Sequence, residues 1–589
     1  MKKRITALAL AVFMVMGTVA LAAGTEKTIS VTPMGLNVNG YAVTPTKSNG
    51  EAAEVFAYDG ATYAPLRYLS ELLGVEVEWD KNDPNTAKLV NVSGFTAPSD
   101  GKTVEYQADI VIVGAGAAGL MAALTASEAG AKVIVLEKGA SALQSNFATC
   151  GGPAGAETVV AKEAGVTVSN KEIYEHLYAF ANTTVDAKLL WESWRRAGVA
   201  IDKMVGLGIP FELNEDVYGV GFRARHQFQA GGAARINPIT SKIEANGGQF
   251  LYETPGKSIL MENGKAVGVQ GINANGDTVI VKAKAVMTCT GGFQGNEEML
   301  HEHFGDVNVV SLGSNMATGD GINMVLEAGG TLDRNFGVLG NEGSGNNSKT
   351  AINVAFFPGF NQNLAFWMYG GLYVDRDGDR FINEKRVADF PLALGGEAVL
   401  RQGKVYAVVD SAFYDACCTE GAYSYMGKPE NWVSGTELWV PVMDKGKEQL
   451  QQAIDEGWAY KADTLAECAK YFGLENLEAT VAEYNDMCAK GEDTLYGKPA
   501  NFMRPIGKGP YYVFEYEAGA WSTFGGVKTD SYLRAVGANG DAIPGLYCGG
   551  CEVGSYYAVP YYDGPGSCVG ISVGSGVWAA ENMLSYIGK

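Results

Sequence analysis

The chain has 589 residues, 47% of them apolar, enough for roughly three or four domains of ordinary size. Acidic residues outnumber basic ones 66 to 45, a formal net charge of −21. Such a surface repels nucleic acid and anionic lipid, so no nucleic-acid partner is expected. Nine scattered cysteines imply no disulfide framework, and the four histidines show no zinc-ligand spacing. His301 and His303, on either side of Glu302, read as solvated, and no metal site is expected.

Residues 1–22 begin with Lys2, Lys3 and Arg4, continue in an apolar run and end in Ala20-Leu21-Ala22. This is the pattern of a secretory signal peptide with an A-x-A cleavage site, which places the mature protein outside the cytoplasmic membrane. Residues 25–97 read as a separate small α+β unit. Residues 36–43 alternate like a strand, Arg67 opens an amphipathic helix stopped by Gly74, and residues 75–79 alternate again. Pro98, Ser99, Asp100 and Gly101 mark a linker.

Residues 106–138 read YQADIVIVGAGAAGLMAALTASEAGAKVIVLEK. Residues 110–113 form a short apolar run, read as a buried parallel strand. Gly114, Gly116 and Gly119 follow at G-x-G-x-x-G spacing, residues 120–128 read as a small-residue helix, and residues 132–136 as a second strand. The first glycine makes the tight turn, the second lets backbone N–H groups approach a pyrophosphate, and the third lets helix pack on strand. The partial positive charge of the helix N-terminus favours the anion. Glu137 lies where an acid accepts ribose hydroxyls. Together these read as a dinucleotide-binding unit.

Downstream, SNFATCGGPAGA over 145–156 carries Gly151 and Gly152, which can bring backbone close to a cofactor. Residues 257–285 read as a meander of three strands with turns at Gly264 and Asn275-Gly276. Residues 285–292, AVMTCTGG, return to a glycine turn, and residues 317–321, ATGDG, open another helix. From about residue 349 to 515 Tyr, Trp and Asn increase, and this stretch reads as an inserted domain. Residues 516–589 return to the earlier style. Cys548-Gly549-Gly550-Cys551 has the spacing of a redox motif but sits in a glycine-rich turn, where small residues have another reason to be.

These motifs resemble the flavoprotein family of fumarate reductase and succinate dehydrogenase. The resemblance runs from about residue 109 to 578. It rests on GAGAAG at 114–119, Glu137-Lys138, TGGF at 290–293, ATGDG at 317–321, DGDRFINE at 377–384, FGGVKTD at 524–530 and IPGLYCGGCEVG at 543–554. It implies an α/β fold: a Rossmann-like, GR2-type FAD-binding domain in two segments, 106–348 and 516–589, with an inserted α+β capping domain at 349–515. It implies FAD as cofactor, contacted at Gly114, Gly116, Ala117, Gly119, Glu137, Lys138, Thr149, Gly151, Gly152, Thr290, Gly291, Gly319, Asp320, Glu552, Ser567 and Val569. Two departures stand out. The family's Gly-Gly-Asn is replaced by Leu143-Gln144-Ser145, and its Ala-Gly-Glu by Gly550-Cys551-Glu552. The phrase TYAPLRYLSELLGVEVEWD at 62–80 is similar to the small N-terminal domain of copper amine oxidases. That likeness implies a spacer or cell-wall contact module and no copper, since the unit holds no histidine or cysteine.

The positions that clamp a dicarboxylate in fumarate reductases hold Ala388, Ser522 and Tyr562 here, and the proton-relay positions fall near Leu364 and Trp367. A dicarboxylate taken out of water needs charge-assisted, bidentate donors, so fumarate is not expected as substrate. The stretch 562–570, YDGPGSCVG, resembles the Tyr-Pro-Gly-x-Gly segment of 3-ketosteroid dehydrogenases. That resemblance gives Tyr562 and the Gly566 N–H the catalytic role of holding a ketone oxygen. An oxygen conjugated to C=C gains negative charge when hydride from flavin N5 adds at the β-carbon, and two donors would stabilise it. The completing acid stays open among Tyr561, Tyr557, Arg386, Arg223 and Arg225. Arg235 could also meet an anion.

The expected function is a secreted or surface FAD-dependent ene-reductase. It reduces an activated, carbonyl-conjugated C=C bond of a small ring-containing substrate as an electron sink, in the manner of anaerobic respiration. Its electrons come from an external donor: reduced flavin, a quinol-linked or another carrier. The alternatives are an oxidising, ketosteroid-type dehydrogenase and a non-catalytic surface flavoprotein.

Overall fold

The computed structural model describes residues 101–589 except 215–220, 308, 340–342, 346–363, 365, 390–395, 428–441 and 444–445, with backbone alone at 343–345, 368 and 396, and within residues 1–100 it describes backbone strands alone. The chain divides into two compact units, Met1–Ala97 and Pro98–Lys589. In the first, the single strand expected over 36–43 is a hairpin, Leu36–Val38 against Tyr41–Val43. The two residues left between them, Asn39-Gly40, are the strongest short hairpin signal a sequence offers. Glu76–Asp80, expected as a strand, pairs with Asp83–Val90. The leader expected over 1–22 falls almost wholly outside the described residues, as does the helix expected from Arg67.

The second unit is built on a sheet of six strands, three of them, residues 110–113, 133–136 and 285–288, apolar four-residue runs. In chain order its elements are β1 (Ile110–Val113), α1 (Ala117–Glu128), β2 (Val133–Leu136), α2 (Ala187–Gly206), β3 (Gln249–Leu251), β4 (Ala285–Thr288), β5 (Arg534–Val536), β6 (Ala542–Cys548) and α3 (Ser567–Ile587). The sheet order is β3-β2-β1-β4-β6-β5. All pairings are parallel except the edge pair β5–β6. β1, β2 and β4 are buried along their whole length, as parallel strands covered on both faces must be. The last segment of the chain therefore completes the sheet begun at residue 110.

α1 starts three residues earlier than its apolar pattern predicts, because the glycine turn itself forms its first turn. α3 is buried against α1 and α2 along a glycine face. A Cβ at Gly574 would lie 2.0 Å from the Ser193 carbonyl, and one at Gly576 would lie 2.2 Å from that of Ala118. No bulkier residue allows this approach. The expected meander forms as Gly256–Glu262, Lys265–Ile272 and Thr278–Lys282, joined by Thr103–Gln107.

The Tyr- and Trp-rich stretch forms its own sheet and a second core around Leu372, Val408, Tyr484 and Val513. Its central strand, Tyr511–Ala520, runs past residue 515, and it recruits Val309–Ser311 from well before residue 349. Composition marks where aromatic content changes, whereas strand pairing follows backbone register, so the sheet crosses both expected boundaries. Inside this core, Arg380 and Glu384 of DGDRFINE meet in a two-bond fork of 2.9 Å each, and Arg380 also bonds Asp493. Lys498 lies 3.5 Å from Glu384. These charges are paired as buried charges must be, and they tie the ends of the capping fold together.

Candidate functional site

One deep cleft collects residues from Val113 to Ser572 at the carboxyl ends of β1, β2 and β4, where ligands of open α/β sheets bind. Its first end is the β1–α1 turn. Gly114 has φ +107°, and a Cβ there would lie 2.6 Å from the Cys289 carbonyl; at Gly119 a Cβ would lie 2.0 Å from the Gly114 carbonyl. Gly116 differs. Nothing lies within 4 Å of its Cβ position, which opens on the cleft. The α1 N-terminus has no side-chain cap and no acid in its first turn, so its N–H groups and positive end are left for a ligand anion.

Glu137 follows β2. Its carboxylate accepts from the Ala115 N–H at 2.8 Å and the Gly139 N–H at 2.7 Å, which fixes its orientation and leaves further lone pairs on both oxygens. Lys138 donates to Thr318 and Asp320, both at 2.7 Å. Gly114, Gly116, Ala117, Glu137, Lys138, Thr149, Gly151, Gly152, Thr290, Gly291, Asp320, Gly566 and Val569 all line the cleft. An open glycine facing a bare helix N-terminus, with a carboxylate one strand away, fits a dinucleotide.

Five expected residues do not line it. Gly119 packs helix on turn. Gly319, at φ +76°, caps the next helix, where a Cβ would meet Met299 at 2.4 Å. Glu552 is wholly buried and accepts from the Thr290 N–H at 2.6 Å and hydroxyl at 3.0 Å. Burial pushes its carboxyl up to about 7. It positions the Thr290-Gly291 turn and does not face the cleft. Ser567 is buried, its hydroxyl 2.9 Å from that of Tyr561.

The fifth is Tyr562, and here the structure corrects the motif. Tyr562 is 1% exposed, and its hydroxyl donates to the Tyr556 carbonyl. It is Tyr561 that lines the cleft, its oxygen accepting from the Cys568 N–H at 2.9 Å. Between the short turn at Gly554–Tyr556 and α3 the chain is irregular, and consecutive residues face opposite ways, so a one-residue offset exchanges the two tyrosines. Burial holds the Tyr561 phenol well above its ordinary value, so it is a donor at neutral pH.

The other open positions separate clearly. Arg225 lines the cleft beside Gly566 and is 5% exposed. Arg223 turns to the Asn214 and Leu213 carbonyls at 3.0 and 2.9 Å. Arg235 donates to the Cys150 carbonyl at 2.6 Å and so braces the 147–150 loop. Arg386 is exposed, and Tyr557 is buried away from the cleft. Leu364, Trp367 and Ala388 are buried in the apolar core, while Ser522 lines the cleft.

Sequence reasoning missed Asn146. Its amide donates to the Trp521 carbonyl at 2.8 Å and accepts from the Ser314 N–H at 2.5 Å, joining three distant segments at the cleft. An asparagine one place after Ser145, where the resemblance looked for one, was the available signal. Beneath Gly152 lies buried His226. Thr158 accepts from the Ala161 N–H at 2.9 Å and so donates to His226 Nε2 at 2.7 Å, while Nδ1–H donates to the Ala224 carbonyl at 2.9 Å. Burial lowers this imidazole to about 4, and it is neutral.

Comparison with known proteins agrees with this geometry. The family model FAD_binding_2, the FAD binding domain, matches residues 109–569. The vinyl phenol reductase of Lactiplantibacillus plantarum is 25% identical over 496 residues, 81% of this chain and 96% of that protein. The fumarate reductase (cytochrome) of Shewanella frigidimarina is 25% identical over 524 residues, 87% of this chain and 83% of that protein. In fold, the 3-ketosteroid Δ1-dehydrogenase of Sterolibacterium denitrificans superposes with a TM-score of 0.60 at 19% identity, covering 82% of this chain and all of that one.

Proposed function

The chain belongs to the FAD binding domain family and takes FAD as its cofactor, and from that premise we propose that it reduces an activated C=C bond of a small, ring-containing substrate. The observation that carries the reading is the α3 end of the cleft. There Tyr561 and Arg225 line the cleft, whose lining also includes Phe147, Leu339, Met316 and Trp521. Apolar walls with a few aimed polar groups suit an aromatic or cyclic substrate bearing one conjugated oxygen. Curated relatives over most of the chain's length, named for vinyl phenol, acrylate, fumarate and urocanate, are reductases of such bonds.

The first end of the cleft would hold the dinucleotide. The α1 N–H groups would face the pyrophosphate, Glu137 would accept the ribose hydroxyls, and Lys138 and Asp320 would close the edge. When bound, FAD supplies the hydride chemistry. At the other end Tyr561 is pre-set. The Cys568 N–H occupies one lone pair, so the Tyr561 O–H would donate to a substrate oxygen that gains charge, an effect worth about 3 kcal/mol of barrier. Arg225 adds a fixed positive charge to the same wall. Gly566 contributes the N-cap of α3, whose dipole has the same sign. With Tyr562 turned away, the donor role that the ketosteroid dehydrogenase-like segment assigned to it passes to Tyr561.

Fumarate fits this site badly, because uncharged core side chains, Leu364, Trp367, Ala388 and Tyr562, fill four of the five positions that would clamp it or relay its proton. Electrons come from an external carrier. Among the described residues no helix is long and apolar enough to cross a membrane. We place the protein outside the cytoplasmic membrane on the pattern of residues 1–22, with residues 25–97 as a surface contact module. The test is an anaerobic assay with reduced viologen and a panel of acrylates, enones, vinyl phenols, steroids and fumarate. Turnover of a cyclic or aromatic conjugated substrate well above fumarate is expected. Fumarate matching the best of the panel overturns the substrate reading, and no turnover of any compound overturns the activity.

A further inference from the structure

The Cys-x-x-Cys spacing at 548–551 is not a pair in space. Cys548 is wholly buried and accepts from the Thr288 hydroxyl at 3.5 Å. Cys551 turns instead to Cys568, seventeen residues on, with the two sulfurs 3.4 Å apart. Both line the cleft, and both are part-exposed. Neither thiol has a role in the reduction described above.

Rigid elements bring them together. Cys551 lies in the short turn Gly550–Glu552 after β6, and this turn is fastened to α3 by the Gly550 N–H, which donates to Ser575 at 3.0 Å. Cys568 lies in the first turn of α3. A disulfide needs sulfurs about 2.05 Å apart, so the pair, at 3.4 Å, must close by little more than an ångström. The surroundings also make the two thiols unequal. The hydrogen bond from Cys568 lowers Cys551, while the same contact raises Cys568. Cys551 is the more readily ionised sulfur, and thiolate character is what makes a cysteine attack a disulfide.

We propose that Cys551 and Cys568 form a reversible disulfide on the wall of the cofactor cleft, made and broken by exchange with a low-molecular-weight disulfide or thiol. The Cys551 thiolate attacks one sulfur of the small disulfide RSSR. The RS⁻ half leaves and takes up the proton that Cys551 gave up, and a mixed disulfide remains on Cys551. The Cys568 sulfur then attacks the Cys551 sulfur, its proton goes to the second departing RS⁻, and the protein S–S bond forms. Two protein thiols are oxidised and one RSSR becomes two RSH; added thiol reverses both steps. Because the Cys568 N–H holds Tyr561, closure draws on the element that positions the phenol. The site thus reports the thiol state of the surroundings to the reaction centre.

The test uses the full-length, FAD-loaded protein equilibrated in mixtures of reduced and oxidised glutathione, then quenched by alkylation, digested without reduction and analysed by mass. A peptide joining Cys551 to Cys568, 2 Da lighter than the two reduced halves, is expected in the oxidised mixtures and absent in the reduced ones. Cys548→Ser should leave it unchanged, and Cys551→Ser and Cys568→Ser should each abolish it. The bridge in the unaltered protein is decisive by itself, so a variant that fails to fold does not blunt the test. Failure of the bridge to form in fully oxidised mixtures, or a bridge from Cys548 to Cys551, overturns the proposal. The readout is a covalent mass, so it fails or succeeds separately from the substrate panel.

Discussion

The two ends of the cleft are built by opposite means. At the α1 end, Gly114, Gly116, Gly119 and Glu137 fall within 24 residues, and each does a job that its immediate neighbours define. At the α3 end, Asn146, Arg225, Trp521, Cys551, Tyr561 and Gly566 come from segments more than 400 residues apart. One end is a local motif that the fold presents, and the other exists only because the fold closes. Substitutions should therefore act by close approach at the first end and by hydrogen-bond geometry at the second.

The largest effect is expected within the local motif, where two glycines should part company. At Gly119 an added side chain meets the Gly114 carbonyl, a backbone atom that cannot move aside. Gly119→Val should therefore fail to fold, seen as loss of a cooperative thermal transition. Gly116→Val adds its side chain to open space in the protein. It should keep the fold while FAD affinity falls roughly 100-fold or more, about 2.7 kcal/mol, read by flavin fluorescence. If Gly116→Val retains FAD, the α1 turn does not approach the pyrophosphate and the comparison breaks at its stronger end.

At the assembled end, Tyr561→Phe should lower turnover by roughly 10²–10³-fold with FAD content unchanged. The loss belongs in kcat, because charge on the substrate oxygen grows only as hydride transfers. A rise in KM alone would make Tyr561 a binding wall.

This contrast explains what the sequence could and could not disclose. The β1–α1 unit was legible because G-x-G-x-x-G, its strands and Glu137 are consecutive and each has a local steric reason. The meander from 256 to 282 was legible for the same cause. Tyr561 stays among five open candidates for the acid, because the irregular segment before α3 has no period from which to decide which of two adjacent tyrosines faces inward. Glu552 was placed on the cofactor, whereas its Oε2 accepts from the Thr290 N–H and hydroxyl, since a motif records that a carboxylate is needed and not which neighbour needs it. The Cys551–Cys568 approach was hidden by a nearer cysteine at a more familiar spacing.

His226 tests how tightly the assembled end is packed, through pH. Its imidazole is wholly buried and lowered to about 4, against about 6.5 in an unfolded chain. Between those values the unfolded state binds more protons, so stability rises with pH across the window and is lost as pH falls from about 6.5 toward 4. The integrated effect is on the order of 3 kcal/mol. His176 acts with the opposite sign. Its contact with Asp563 at 2.9 Å raises it, so its contribution is present below about 6.5 and fades above that. Glu552, raised to about 7, also acts with the opposite sign. In chemical denaturation between pH 4.5 and 7 the His226 contribution is therefore the difference between the unaltered protein and His226→Gln, whose stability should fall less as pH is lowered. An unchanged slope in that variant would mean the acid sensitivity lies elsewhere.

The smallest effect is expected at Tyr562, and its smallness is the point. Tyr562 and Tyr561 are neighbours in sequence and alike in chemistry, so they differ only in where the fold aims them. Tyr562→Phe removes a hydroxyl that donates to the Tyr556 carbonyl inside the protein and leaves the ring packed against Tyr557 at 5.7 Å. The carbonyl left without its donor should cost about 1 kcal/mol, a modest loss in thermal midpoint. Turnover and KM should stay within about twofold of the unaltered protein, because a hydroxyl that never faces the cleft cannot meet charge growing on a substrate. Measured beside Tyr561→Phe, the pair isolates orientation from composition. If Tyr562→Phe instead loses turnover as steeply as Tyr561→Phe is expected to, the segment between Gly554 and α3 must turn over when substrate binds, and the tyrosine picked out by the motif would be the working donor after all.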